Sequence, residues 1–321
     1  MELGKRGVFF TFIAFIFLSL LIFSLSIGNN YKMRQTSFVV ETRVDTMNRF
    51  IVDIEKDIER GAYIAGIRAF FELGDYIIST GEYISDLDLS FSELFINGTI
   101  DGENSSIMVN NTFTDWIDRI EDEASEIDII INFTINDISL YQEDHWEVTV
   151  DINLTIDMHD KKATSSWKKL KSIKSIINID GFEDPVYWVE TNGIVENGIT
   201  KTNFSYFVTG MDISNLLSHA YNGFYVEFSG APDYLMRLEG NLSGSSVYGI
   251  ESLVDIDRLK DEGVPSKDIN QKSIVDYIYF GVDNPQRYQV TGAPGWFKVD
   301  NSSNMYGNQT HHDLYEINGL I

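Results

Sequence analysis

The sequence predicts an α+β chain. One long N-terminal helix, apolar and membrane-spanning at first and amphipathic after, packs on an antiparallel β-sheet head, and a further β-rich region follows. Three observations predict this. An apolar run free of charged residues begins at Val8 and ends at Ile27. A heptad spacing of apolar residues comes next. Beyond residue 127 the apolar period falls to two.

The apolar run would span roughly 30 Å as a helix, about the thickness of a bilayer's hydrocarbon core. Lys5 and Arg6 precede it, and charge resumes at Lys32 and Arg34. By the positive-inside rule the N-terminus is cytoplasmic and the bulk of the chain is outside. A cleaved secretory signal would have a shorter apolar core and small residues at its cleavage site; Ser26-Ile27-Gly28-Asn29 fits that poorly. A plain signal anchor is the second reading.

A third reading comes from a likeness. Lys5-Arg6-Gly7-Val8 followed by Phe9-Phe10-Thr11-Phe12 resembles the leader of archaeal type IV pilins. Phe12 stands where bacterial pilins usually carry a glutamate. The resemblance implies that a prepilin-type peptidase cuts between Gly7 and Val8 and leaves the apolar helix on the mature chain. It also implies that this helix spans the membrane first and later packs in a filament core, against copies of itself or other pilin-like subunits.

A break at Gly28-Asn29-Asn30 separates the apolar run from the stem. Val40, Val44, Met47, Ile51, Ile54, Ile58, Gly61 and Ala65 then alternate in steps of four and three, a packing seam of coiled-coil period. Ala62, Gly66 and Ala69 narrow the seam for close approach, and Phe70 and Phe71 follow. Such a helix either packs on its own domain or forms a spine shared with neighbouring subunits. Residues 74–111 read as mixed, with loops. Thr112 or Thr114 caps a helix over 115–127, with Trp116, Ile117, Ile120 and Ala124 on one face.

Alternation then marks three strands. Ile127, Ile129, Ile131, Phe133 and Ile135 form one, Val148, Val150, Ile152, Leu154, Ile156 and Met158 the next, and residues 163–179 the third. Turns at Gln142-Glu143-Asp144 and Asp160-Lys161-Lys162 make them an antiparallel meander with one buried face. A long helix on that meander is also the general pilin plan. From Asp184-Pro185 the chain is turn-rich, with Asn-Gly pairs at Asn192 and Asn197. A short helix near 213–220 and strands near 224–228, 250–254, 274–280 and 296–299 are expected. The expected organisation is a leader over 1–7, a membrane or filament-core helix over 8–27, a stem over 28–80, a head over 81–182 and a β- and loop-rich domain over 183–321. Tyr234-Leu235-Met236-Arg237-Leu238-Glu239-Gly240-Asn241 and Gly249-Ile250-Glu251-Ser252-Leu253-Val254 are similar to runs in uncharacterised archaeal surface proteins with pilin-like N-termini, a likeness that brings no known chemistry.

Composition agrees with an outside location. Asn97, Asn104, Asn110, Asn132, Asn153, Asn203, Asn241, Asn301 and Asn308 each head an N-x-S/T triplet, the acceptor for N-glycosylation. The formal charge of −25 favours solubility and would repel nucleic acid. The chain has no cysteine, so disulfides and thiolate chemistry are excluded.

Motifs for chemistry are weak. There is no Gly-rich phosphate loop, no His-Glu-x-x-His and no nucleophile elbow. His311-His312-Asp313 reads as a strand whose histidines point to opposite faces. His145 and His159 are scattered, and His219 reads as a helix-surface residue. Asn178-Ile179-Asp180-Gly181 with Glu183 and Asp184 is calcium-like but lacks the first Asp and closing Glu of an EF-hand loop, so a turn is the simpler reading. Lys161, Lys162, Lys168, Lys169, Lys171 and Lys174 concentrate a quarter of the basic residues. They either guard an edge strand or form a strip that docks on an acidic neighbour.

No catalytic residue, metal site or cofactor is expected, and the chain does not read as an enzyme. The expected function is a structural subunit, major or minor, of an archaeal type IV pilus-like filament with a glycosylated acidic head. The alternative is a single-pass anchored surface protein whose C-terminal region binds carbohydrate or a cell-surface partner, with Trp188, Trp296, Tyr206 and Phe207 as a sugar-stacking surface.

Overall fold

The computed structural model describes residues 3–161, 165–265 and 271–321, with side chains of the first helix described for 9–27, 38 and from 40 onward. In chain order its elements are α1 (Leu3–Thr80), α2 (Leu87–Asn97), β1 (Thr99–Ile100), β2 (Glu103–Asn104) and α3 (Phe113–Glu126). Next come β3 (Ile129–Asp144), β4 (Glu147–Asp160), β5 (Ser166–Asn178), α4 (Pro185–Glu190), α5 (Ser214–Tyr221), β6 (Tyr225–Glu227), α6 (Tyr234–Leu238) and β7 (Ile250–Ser252). The chain ends with α7 (Ile256–Asp261), α8 (Asp276–Phe280), β8 (Arg287–Gln289), β9 (Lys298–Asp300) and α9 (His311–Leu314).

The helix α1 runs 78 residues without a proline. The expected break at residues 28–30 does not occur: the backbone stays helical through Gly28, Asn29 and Asn30. One glycine and two asparagines lower helix propensity but remove no backbone donor, as a proline would. The helix stops at Gly81, whose φ of 70° only glycine adopts cheaply, and the Gly81 N–H closes the last turn on the Ile77 carbonyl at 2.8 Å.

The seam decides where α1 packs. Met47, Ile54, Ile58, Ala62, Ala65 and Ala69 are buried, and Val40, Val44 and Ile51 are half-buried. The buried ones, with Ile51, meet this chain's own head. Space for a Cβ on Gly61 is taken by the Trp116 ring of α3, at 2.5 Å, and on Gly66 by Ile177 of β5, at 2.8 Å. The small residues thus admit an indole and a strand of the same chain. Arg43 latches the lower end, with Nε donating to Asp160 at 2.8 Å and Nη2 to the carbonyls of Ile127 and Asp128.

The meander forms as expected, in the order β3-β4-β5, antiparallel throughout. Val148, Val150, Ile152, Leu154, Ile156 and Met158 of β4 are buried on the inner face. The first turn lies two residues later than expected, at His145-Trp146, because Gln142 is drawn inward: its Oε1 accepts from the Tyr234 and Leu235 amides of α6. Thr112 caps α3 in a reciprocal capping box with Asp115. Within 74–111, read as mixed with loops, lies α2, capped by Asp86 and ended at Gly98. Its Phe91 and Phe95 bridge Phe70 of α1 to Phe113 of α3 by ring contacts of 5.0, 5.5 and 4.9 Å.

Beyond 183 the expectation of a β-rich domain is corrected. Among the described residues, six short α-helices hold more residues than the four three-residue strands. Residues 274–280, expected as a strand, contain α8 instead; Asp276 is buried there by an arginine, and the chain turns at Gly281. Two cores result. Tyr225, Tyr234, Leu238 and Ile250 join the core of α1 and the meander, so residues on both sides of 183 share it. A second core gathers Tyr187, Val254, Phe280, Phe297, Val299 and Tyr315.

Candidate functional site

Two places concentrate features that core packing alone does not require. The first is the lower half of α1. Phe9–Ile27 is a 19-residue stretch of mean hydropathy 2.5 with none of it buried, long and apolar enough to cross a membrane. Lys5, Arg6, Gly7 and Val8 lie in the first turns of the same helix. Ile27 and Arg43, which hydrogen-bonds to the head, lie about 24 Å apart along the helix.

The second is a buried ionic network in the C-terminal region, which sequence reading missed. Arg237 of α6 is fully buried. Its Nη1 donates to Asp184 at 2.7 Å, and its Nη2 to Asp276 at 3.0 Å and to the Ile250 carbonyl at 2.6 Å. The Tyr225 hydroxyl donates to Asp184 at 2.6 Å and accepts from Asn197 Nδ2 at 3.0 Å. Ser252 donates to Asp276 through both its amide, at 3.1 Å, and its hydroxyl, at 2.9 Å. Burial, reinforced by the charges of Asp184 and Glu251, raises Asp276 to about 6 against the pull of Arg237.

A second cation completes the network. His311, expected on a strand, opens the short helix α9 behind a Thr310–Asp313 capping box and is buried. Its Nδ1 lies 2.9 Å from Asp300 and its Nε2 3.1 Å from Glu251. Glu251 also accepts from the Tyr315 hydroxyl at 2.8 Å. Burial alone would depress His311; the charge of Glu251 and the hydrogen bonds of Asp300 and Glu251 outweigh it and push the imidazole up to about 10. It is therefore held as a cation. Three consecutive residues of β7 serve the network: the Ile250 carbonyl, the Glu251 carboxylate and Ser252.

The signal was present but unread. Arg237 sits in the Tyr234–Asn241 run, and Glu251 and Ser252 in the 249–254 run, the two segments singled out by resemblance. Comparisons with protein-family models, curated proteins and solved structures find no match.

The remaining sites fall as follows. All nine sequon asparagines, Asn97, Asn104, Asn110, Asn132, Asn153, Asn203, Asn241, Asn301 and Asn308, are exposed. Asn132 and Asn153 stand on the open face of the meander. His219, expected on a helix surface, is fully buried among Phe207, Phe224 and Tyr315, and burial pushes it down to about 3. The calcium-like segment is a turn: Asn178 Oδ1 accepts from the Asp180 amide, and Asp184 is committed to Arg237. Among the described residues no group of three His, Asp or Glu is placed to hold a metal ion.

Lys168, Lys169, Lys171 and Lys174 of the lysine strip lie on β5, an edge strand, and Lys161 lies in the turn after β4. Lys169 and Lys171 pair with Glu55 of α1 at 2.5 and 3.2 Å, Lys168 with Asp157, Lys174 with Glu143 and Lys161 with Asp128. Lys162 lies outside the described residues. The four aromatics expected to form one sugar-stacking surface do not. Trp188 donates to the Ile78 carbonyl, Trp296 donates to Asp257, Phe207 is buried against His219, and only Tyr206 is exposed.

Proposed function

We propose that this chain is a structural subunit of a pilin-like surface filament, held in a membrane through residues 9–27 before assembly and carrying an acidic, N-glycosylated head outside the cell. The observation that carries this reading is one continuous helix used in two ways. Residues 9–27 are apolar and bare; the upper part, from Met47, is core of the head. A bare apolar helix requires a bilayer or other apolar helices, and transfer from one to the other keeps its surface out of water throughout. A prepilin-type peptidase would read Lys5-Arg6-Gly7 on the cytoplasmic side and hydrolyse the Gly7–Val8 bond. The new amino terminus at Val8 would leave the apolar segment free of its basic tip.

Support also comes from charge. The first 80 residues hold nine acidic and nine basic side chains, so the net −25 resides wholly in the head. The exposed sequons also begin only at Asn97, beyond α1. Helices are then free to approach while heads stay apart.

The test is the N-terminal residue of the protein from native membranes and from sheared cell surfaces, read by mass spectrometry. A chain starting at Val8 in the sheared fraction is expected. An intact N-terminus confined to membranes would overturn the proposal and leave a signal-anchored surface protein.

A further inference from the structure

A cleft of about 480 Å³ opens beside the buried network, between residues 242–244, 277–278, 283–285 and 302–303. Its volume falls in the range, roughly 300–1,000 Å³, common for ligand sites. Its walls are fixed from behind. Tyr277 follows Asp276, the partner of Arg237, and its hydroxyl lies 3.3 Å from His311 Nε2. Ser302 and Ser303 follow Asp300, the other partner of His311, and the Ser302 amide donates to Asp300 at 2.8 Å. A cleft whose walls are anchored by a buried ionic network loses little freedom when a ligand enters.

The chemistry of the lining is mixed in a specific way. Leu242, Ile278, Pro285 and the Tyr277 ring give an apolar floor. Ser243, Ser303 and Asp283 offer two hydroxyls and a carboxylate that make no side-chain hydrogen bond to other described residues. Asn284 adds an amide whose Oδ1 already accepts from Arg287 at 3.4 Å. Apolar surface beside uncommitted hydroxyl and carboxylate groups suits a pyranose, which has C–H faces and a rim of O–H donors. The Asp283 carboxylate and the acidic head disfavour an anionic sugar. By contrast, the wider groove between α1 and the β1–β2 hairpin is lined by Glu72, Asp75, Asp101 and Glu103, and Ser105 and Tyr76 already engage two of those carboxylates at 2.5 Å.

Two sequons converge on this cleft. Ser243 and Ser303 are the hydroxyl residues of the triplets headed by Asn241 and Asn301. A Cβ on Gly244, in the cleft wall, would lie 2.7 Å from Asn241 Nδ2, the atom that would carry a glycan. We propose that this cleft binds a neutral oligosaccharide, supplied either by the chain's own glycan on Asn241 or Asn301 or by another surface. The proposal holds whether or not the apolar helix assembles into a filament.

The experiment uses the full chain in detergent micelles, as glycoprotein and as the Asn241→Gln/Asn301→Gln form. Mannotriose, maltotriose and N-acetylchitotriose are the probes, trigalacturonate the acidic control, and isothermal titration the readout. Binding by the unsubstituted glycoprotein assigns the cleft to an external saccharide. Binding that appears only in the Gln form assigns it to the chain's own glycan. In either background Asp283→Ala is expected to weaken binding about tenfold, the cost of one charge-assisted hydrogen bond. In the Gln form Ser303→Ala, which no longer affects a sequon, is expected to weaken it severalfold. Both positions are exposed or at the rim, and an unchanged unfolding temperature checks that the fold survives. No binding in either form, tighter binding of trigalacturonate, or affinity indifferent to Asp283→Ala would each overturn the assignment.

Discussion

Arg237 is a large cation in a place without water, and its removal should be costly. Arg237→Met would leave Asp184 and Asp276 facing each other in the core with no cation between them. Breaking a buried pair by removing one partner typically costs about 3–5 kcal/mol, and that loss of unfolding free energy is expected in a denaturant titration. A variant as stable as the parent would mean the carboxylates take up protons at no cost. His311 predicts the pH dependence. Its pKa is about 10 in the folded chain against a reference value of 6.5, so it lends stability that is complete below pH 6.5 and fades as pH rises toward 10. On the acid side two groups oppose one another. His219, held neutral down to about 3, costs stability as pH falls from 6.5, whereas Asp276, raised to about 6, adds stability as pH falls from 6 toward 3.8. The alkaline limb should therefore be the steeper one, and His311→Gln, though less stable at pH 6, should flatten it. Thermal unfolding of both proteins between pH 5 and 10 measures the difference.

At the scale of elements, Gly61 is the sharpest test of how α1 is used. In an exposed helix, Gly→Ala gains about 1 kcal/mol. Here a Cβ meets the Trp116 ring at 2.5 Å, and Trp116 is tethered by its Nε1 to Asp57 at 3.1 Å. Overpacking costs about 1–3 kcal/mol, so Gly61→Ala is expected to lower the unfolding temperature instead of raising it. A rise would mean α3 is free to move off the stem. Which elements were legible in sequence follows from their length. The stem and the meander repeat their period over many residues, and Val148 to Met158 could hardly be read as anything but a half-buried strand. The helix α2 was legible too, through Asp86 before it, Gly98 after it and Leu87, Phe91 and Leu94 at helical spacing, but the surrounding polar residues masked it. Elements after 183 are three to eight residues long, too short to show a period. The network was illegible for another reason: Arg237, Glu251, Asp276 and Asp300 are residue types that usually face water, and only three dimensions reveal that they face one another.

For the molecule as a whole, the uneven charge predicts how copies associate. Forty acidic and fifteen basic residues lie beyond residue 80, against nine of each before it. The basic strip on β5 and the turn before it, a source of complementarity between copies, is largely occupied by Glu55, Glu59, Asp157, Glu143 and Asp128 of the same chain. Heads of −25 must then repel one another, while apolar helices attract without regard to salt. Raising ionic strength shortens the reach of the repulsion from about 10 Å at 0.1 M to about 3 Å at 1 M. It should strengthen self-association of the full chain released from membranes in mild detergent. Sedimentation between 0.05 and 1 M NaCl measures this, and the expected outcome is a larger assembled fraction at high salt. Dissociation at high salt would show that copies meet through ion pairs between heads, and the lysine strip, freed from Glu55, would then be the surface to substitute. The same titration on a form with Phe9, Phe10 and Phe12 changed to Ser separates the two forces. It should abolish association at every salt concentration if the apolar helix alone holds copies together.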